Sequence, residues 1–234
     1  MRLFAIGDLH MSGGDEKPMD VFGPQWDRHF LRIRENWQKK VGGEDTVLIP
    51  GDISWAMQLK DAEADLHEIG ELPGHKILCK GNHDYWWNSI SQVRSVLPGS
   101  VTALQHSAVD IGKAVVCGTR GWLIPTADQP LSEQDDKIYR REAERLRLAL
   151  DEGKKLAKGR PVIVMTHYPP LLQGGKENLF TGLMEEYGVT DAVYGHLHGS
   201  GIQGGFTGEH CGIRFHLVSC DSIDFCPKEI KLEE

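Results

Sequence analysis

Apolar positions along the chain follow two rhythms. Short unbroken runs rich in β-branched and large residues, "LFAIGDLH", "TVLIPGD", "KILCKGNHD", "PVIVMTHYPP" and "DAVYGHLHG", each stop at polar or turn-forming residues. They predict buried strands followed by loops. Between them, apolar residues recur every three or four positions. Trp26, Phe30, Ile33, Trp37 and Val41 make one helical stripe, and Leu59 to Ile69 and Ile90 to Leu97 show shorter versions. Ser132 with Asp135 gives a capping-box-like start to a charged helix that runs through Ile138, Leu146 and Leu150 and ends before Gly159. Strands alternating with helices predict an α/β fold with a largely parallel sheet, at least in the first half. No repeat or low-complexity linker divides the 234 residues, so one domain over 1–234 is expected, with 120–158 as a small cap or a flanking helical segment.

Each strand-like run ends in side chains able to bind metal: Asp8 and His10, Asp52, Asn82 to Asp84, His167, and His196 with His198. In open α/β sheets the ligand crevice lies outside the carboxyl ends of the strands, where all five clusters fall. Taken singly, each residue has a bland account as a turn former, a loop residue or a satisfied polar side chain. Together they bring three acidic or amide oxygens and four imidazoles, besides His83, to one sheet edge. The D-x-H and H-x-H spacings place both side chains on the same side of an extended chain. Oxygen and imidazole donors without thiolate suit manganese, iron or zinc. They are too many for one tetrahedral ion and fit a pair of ions sharing Asp52.

Composition narrows the partners. Apolar residues at 40% and charged residues at 26% are those of a globular protein. A formal charge of -8 argues against tight non-specific binding to nucleic acid or an anionic membrane. No apolar run approaches a bilayer's thickness, and "MRLFAIGDLH" lacks the features of a secretory signal, so a cytoplasmic location is expected. Five cysteines without a C-x-x-C pair read as buried free thiols, with a zinc site on Cys211, Cys220 and Cys226 as the weaker alternative. Arg120 follows the apolar "AVVCG" run, and its fork suits phosphate oxygens; a surface salt bridge accounts for it equally well. Tyr85, Trp86 and Trp87 could stack on a base, but each alone is better read as packing. His29, His67, His75, His106, His210 and His216 lack matching ligand partners, and Asp221 and Asp224 read as turn or strand-end residues.

The ordered set D-x-H, G-D, G-N-H-D, H and G-H-x-H, from Asp8 to His198, resembles the calcineurin-like metallophosphoesterases, in particular the compact bacterial predicted phosphohydrolases. The resemblance implies a sandwich of two mixed β-sheets flanked by helices, with the metal site at the carboxyl ends of the strands. It implies that Asp8, His10 and His198 hold one metal, that Asn82, His167 and His196 hold a second, and that Asp52 bridges them. The cofactors would be two divalent or mixed-valence ions of manganese, iron or zinc. In such a site a hydroxide shared by ions about 3.5 to 4 Å apart attacks phosphorus in line. His83, next to a ligand without being needed as one, is expected to assist the leaving group, with Asp84 orienting its ring and favouring its protonated form. Asn82 and Arg120 would contact the phosphate. Protein phosphatases of this superfamily carry G-D-x-x-D-R-G where this chain has "GDISWAM". The lipid A pathway pyrophosphatases have Arg where His83 stands, and the repair nucleases add a capping domain. What is left is a broad phosphodiesterase or phosphomonoesterase; the compact chain with its H-x-H end resembles the cyclic-nucleotide and general diesterase branch, so phosphodiester hydrolysis on a small-molecule phosphate ester is expected, nucleotides among the candidates. A phosphomonoesterase and a non-catalytic interaction module that keeps the fold are the alternatives.

Overall fold

The computed structural model describes residues 1–12, 19, 23–126 and 128–232. Its first half runs β1 (Leu3–Ala5), α1 (His29–Lys40), β2 (Thr46–Ile49), α2 (Leu59–Glu71), β3 (His75–Leu78), α3 (Ile90–Val96) and β4 (Val101–Ala103). The second half runs β5 (Ser107–Asp110), β6 (Val115–Gly118), α4 (Glu133–Ala157), β7 (Val162–Met165), α5 (Leu179–Glu186), β8 (Val189–Tyr194), β9 (Gly208–His210), β10 (Ile213–Leu217) and β11 (Lys228–Ile230). The strands form a five-stranded sheet in the order β11-β1-β2-β3-β4 and a six-stranded sheet in the order β5-β6-β7-β8-β10-β9. β1 to β4 are parallel, as are β6, β7, β8 and β10, while β11, β5 and β9 add antiparallel edges. Both sheets are thus mixed, and the parallel expectation holds for their centres.

The unbroken apolar runs follow from burial on both faces. Along β2, Val47 and Ile49 join the core under α1 to α3, and Leu48 turns the other way into the layer between the sheets. Along β7, Val162 and Val164 face α4 and α5, and Ile163 and Met165 fill the same central layer. The stripe that begins at Trp26 enters through a short 3-10 turn at Pro24–Trp26, and Ile33 and Trp37 then seat α1 on the first sheet. The side chain of Ser132 caps α4 by accepting from the amide of Asp135 at 3.1 Å, and Tyr139, Ala143, Leu146 and Leu150 bury its inner face against the second sheet. Within the 120–158 segment Ala127 lies outside the described residues; α4 lies along β5 and β6 and flanks the sheet.

Lys76, inside the apolar β3 run, is fully buried. Its ammonium donates to the carbonyls of Gly70 (3.0 Å), Leu72 (2.6 Å) and Gly74 (2.8 Å), where α2 ends and its carbonyls lack helical partners. Desolvation draws its pKa down to about 8.

Candidate metal centre

The loops after β1, β2, β3, β7 and β8 leave the sandwich at one edge and carry their polar side chains to a common point. Asp8, His10, Asp52 and His196 hold φ values of 59°, 44°, 51° and 73°, in the left-handed region that Asp, Asn and His enter more readily than bulkier residues. The backbone turns at these positions so that successive polar side chains face the crevice. Two glycines are needed for the approach. A methyl group on Gly81 would fall on the Asp52 carboxylate, and one on Gly195 would fall on that of Asp8.

Two donor groups could each hold a metal ion: Asp8, His10 and His198, and Asp8, Asp52 and His167. Around the first, His10 Nε2 and His198 Nε2 face each other at 3.4 Å, and Asp8 Oδ1 lies 3.4 Å from His198 Nε2. Around the second, His167 Nε2 lies 2.6 Å from Asn82 Oδ1, 3.2 Å from His196 Nδ1 and 3.5 Å from Asp52 Oδ2. Asp52 Oδ2 is also 3.9 Å from His10 Nε2, so it lies between the two groups. All seven side chains named from the sequence as ligands therefore meet, although Asp8 stands closer to the second group than the sequence implied.

The hydrogen bonds around the cluster show that it is built for cations. Nδ1 of His167 bonds to the carbonyl of Pro50 at 2.9 Å, which can only accept, so Nδ1 carries the hydrogen and Nε2 presents a lone pair. That lone pair faces the side-chain oxygen of Asn82 and the carboxylate of Asp52, which are acceptors too. Nδ1 of His198 meets Asp221 Oδ1 at 2.8 Å, which turns its Nε2 towards His10 and Asp8. Acceptors aimed at one another repel unless positive charge sits among them. Without such charge, the buried acids compete: burial and the charge of Asp8 raise the Asp52 pKa. Burial would lower His198, but its bonds to Asp221 and Asp8 carry it up to about 10. Burial drops His10 to about 3 and His196 to about 4, leaving both rings neutral and able to donate lone pairs. The donor set thus fits divalent transition metals.

The surroundings of His83 depart from the expectation. Asp84 does not reach its ring. The buried Asp84 carboxylate is taken up by the amides of Ile53 (2.8 Å), Ser54 (3.2 Å) and Gly81 (2.7 Å) and by Trp86 Nε1 (3.2 Å), so it ties the β2 and β3 loops together. A carboxylate that satisfies four local donors has none left for a ring pointing away from it. His83 is held instead by its amide, which donates to Asp52 Oδ1 at 2.8 Å, and by the Trp55 ring 4.5 Å from its own. Its Nδ1 is buried without a hydrogen-bond partner. Burial, with His167 adding to it, lowers the His83 pKa, the reverse of the expected stabilisation of the protonated form.

Of the aromatics, Trp86 and Trp87 belong to the core, whereas Tyr85 is half exposed and stands edge-on to His83 at 6.1 Å. Trp55 stacks on His10 at 4.9 Å, and Trp26 meets both His10 and His198 edge-on. Three residues around the cluster were not read as part of it from the sequence: Asp221, read as a turn or strand-end residue, which holds His198; Trp26, read only as helix packing; and His29, read as lacking a ligand partner, whose Nε2 bonds to Leu9 O at 2.8 Å. Arg120 makes no ion pair among the described residues and stacks over Trp122 at 4.5 Å. A cavity of about 350 Å³ opens beside His196, lined by Trp122, Ile124, Leu131, Tyr168, Leu172 and Leu197. Cys79 and Cys220 are buried and their thiols are pushed well up by desolvation; Cys211 is exposed and no zinc-type cluster involves it among the described residues.

Comparison with known proteins agrees with this geometry. The gene 66 protein of Mycobacterium phage D29 is 40% identical over 81 residues, 33% of this chain and 37% of that protein, and the corresponding protein of phage L5 is 33% identical over 82 residues with the same coverage. The chain thus spans 37% of the length of these curated relatives. A phosphopantetheinyl hydrolase from Mycobacterium tuberculosis superposes with a TM-score of 0.56 at 15% identity, over 98% of this chain and 95% of that one. A protein of unknown function from Aquifex aeolicus gives 0.52 at 16%, over 97% and 95%. At these identities the likeness speaks to the fold alone. The profile of the calcineurin-like phosphoesterases matches residues 1–200, from before Asp8 to beyond His198, and the chain belongs to that family.

Proposed function

We propose that this chain hydrolyses phosphodiesters at the cluster, with Asp8, His10 and His198 holding one ion, Asn82, His167 and His196 the other, and Asp52 shared. The observation that carries the reading is the set of oxygen and imidazole ligand atoms gathered within 2.6 to 3.5 Å of His167 Nε2, whose Nδ1 is committed to the Pro50 carbonyl. Manganese or iron suits these donors, and zinc is the third choice. Such ions supply positive charge to phosphoryl oxygens and bring the pKa of water towards neutrality. The chain's own residues do the rest. Asp52 fixes the Asn82–His83 turn through the His83 amide, and Trp55 holds the ring in place. With Nδ1 buried, His83 gives its proton to the leaving alkoxide from Nε2. Because the His83 pKa is lowered, its protonated form is lost as pH rises through that value, so rates on poor leaving groups fall from there upward. Arg120 contacts a phosphate oxygen.

Room for a second ester group supports the diester over the monoester: the cavity beside His196 would take it. The wall of that cavity, 122–126 and 129–132, is the part of 120–158 that serves as a cap, on a single domain of 1–234. Substrates are small phosphate esters, with nucleotides first in line. Free thiols at all five cysteines support a cytoplasmic setting; no helix among the described residues is long and apolar enough to cross a membrane. The test is the initial rate of metal-stripped, manganese-reconstituted protein on bis-p-nitrophenyl phosphate and on p-nitrophenyl phosphate. Preference for the diester supports the proposal, and preference for the monoester makes the chain a phosphatase. No metal-dependent rate on either removes both and favours the interaction module.

A further inference from the structure

Along the same edge of the sandwich, a second cavity of about 210 Å³ lies among the ends of β3, β4 and β6 and the flank of α4. Three cationic side chains line it, Lys80, Arg120 and Arg145, with Gln105 and a single carboxylate, Glu142. Two of its walls are the backbone that carries the metal centre. Lys80 precedes Asn82 by two residues, and the carbonyl of Arg120 accepts the amides of His167 and Tyr168, each at 3.0 Å.

Two of these cations, Lys80 and Arg120, are not spent on carboxylates as others in the chain are. Arg2, Arg160 and Arg214 each lie within 2.9 Å of an aspartate. Lys80 instead donates once, to Trp87 O at 2.6 Å, and Arg120 rests on the Trp122 ring; neither has a carboxylate at ion-pair distance among the described residues. Asp84, the buried acid whose charge reaches Lys80, is already engaged by four donors. Glu142 is engaged as well. One oxygen takes the Thr119 hydroxyl at 2.6 Å and the other takes Arg145 at 2.5 Å, which leaves further guanidinium donors on Arg145. Gln105 accepts from Trp87 Nε1 through its oxygen, so its amide hydrogens remain to be given. In a chain of net charge -8, this is a recess with three cations against one carboxylate, and with amide and guanidinium hydrogens left to give.

We propose that this cavity is an anion subsite for a phosphate-class group, bound by Lys80, Arg120 and Arg145 beside the reaction centre. It rests on the reading above that the neighbouring cluster is that centre. The substrate's second acidic group and free phosphate present the same chemistry to it. Arginine forks and an ammonium suit such a group, as several charge-assisted hydrogen bonds converge on its oxygens.

The probe is inorganic phosphate, titrated calorimetrically into metal-stripped protein at low salt, where the catalytic cluster has no ions to hold it. One saturable site is expected, weakened about tenfold or more in Arg120→Gln, as befits the loss of a charge-assisted bond, and unchanged in Arg160→Gln. Arg145→Gln should weaken it too but also unpairs Glu142, so Arg120→Gln, with its fold checked by thermal melting, decides. No saturable binding without metal, or binding that survives Arg120→Gln, overturns the subsite. Because no turnover is needed, failure here is separate from failure on the p-nitrophenyl esters. Once binding is seen, the source is read from KM on metal-loaded protein for thymidine 5'-(p-nitrophenyl phosphate) with and without a 3'-phosphate. A lower KM for the 3'-phosphorylated ester assigns the subsite to substrate, and equal values assign it to free phosphate.

Discussion

Two gatherings of histidine and aspartate lie along β8, one on the strand and one past its end where both sheets meet, and they behave in opposite ways. Asp191, fully buried on β8, takes Arg214 on both oxygens at 2.9 Å, and His216 joins at 2.9 Å. Burial would raise its carboxyl, but the bonds from His216 and Arg214 hold it below the ordinary value. Every acceptor there has a donor. At the end of the same strand, His196, His167, Asn82 and Asp52 present acceptors to acceptors. Residue types do not distinguish the two groups; hydrogen-bond accounting does. A satisfied buried network supports the fold, and one short of positive charge is a site.

The contrast can be broken from either side. Asp52→Asn should cost the most: metal content measured by mass spectrometry falls, and the metal-dependent rate drops by more than the roughly 100-fold upper end seen for outer-shell partners. Two fully bound ions in that variant would refute a shared role. His83→Ala should lower kcat by about 10² to 10⁴-fold on esters with poor leaving groups, with a smaller loss on p-nitrophenyl esters; equal losses would remove its acid role. Asp191→Ala should act on stability instead. It removes the carboxylate that Arg214 and His216 share and costs about 3 kcal/mol in urea unfolding, while metal content stays intact. Asp221→Asn should weaken metal binding by roughly 10-fold.

The smallest effect concerns pH in the metal-free protein. His198 is raised above its ordinary 6.5 to about 10, so the stability it brings is fully present below 6.5 and lost as pH rises through about 10. Metal must displace that proton, and affinity should therefore rise with pH over the same window. Asp221→Asn should flatten both profiles, read by thermal melts and metal titrations. Unchanged profiles would show that Asp221 does not hold the proton.

Much of this was legible in the sequence because strands buried on both faces leave unbroken apolar runs, and polar residues ending such a run must lie at the sheet edge. That logic found the loops after β1, β2, β3, β7 and β8. Applied once more to "HLVSCD", the run of β10, it would have found Asp221 as well. The role of Asp84 was not legible, since neighbours in sequence need not touch: the carboxylate turns inward to amides of Ile53 and Ser54, 31 and 30 residues away. Nor was the Lys76 cage, because a lysine in a short strand reads as surface until the end of α2 is seen to close over it. The Arg214 and His216 pair was equally hidden, since their partner Asp191 lies on another strand.

The left-handed turns at Asp8, His10, Asp52 and His196 have a consequence for how such a protein would drift. Each asks an L-residue to occupy backbone space that glycine enters freely, at roughly 1 kcal/mol apiece. A lineage released from its chemistry could therefore gain stability by losing side chains at these very positions, and glycines there would be the fossil trace of an abandoned activity. In this chain Asp or His occupies all four positions at that cost.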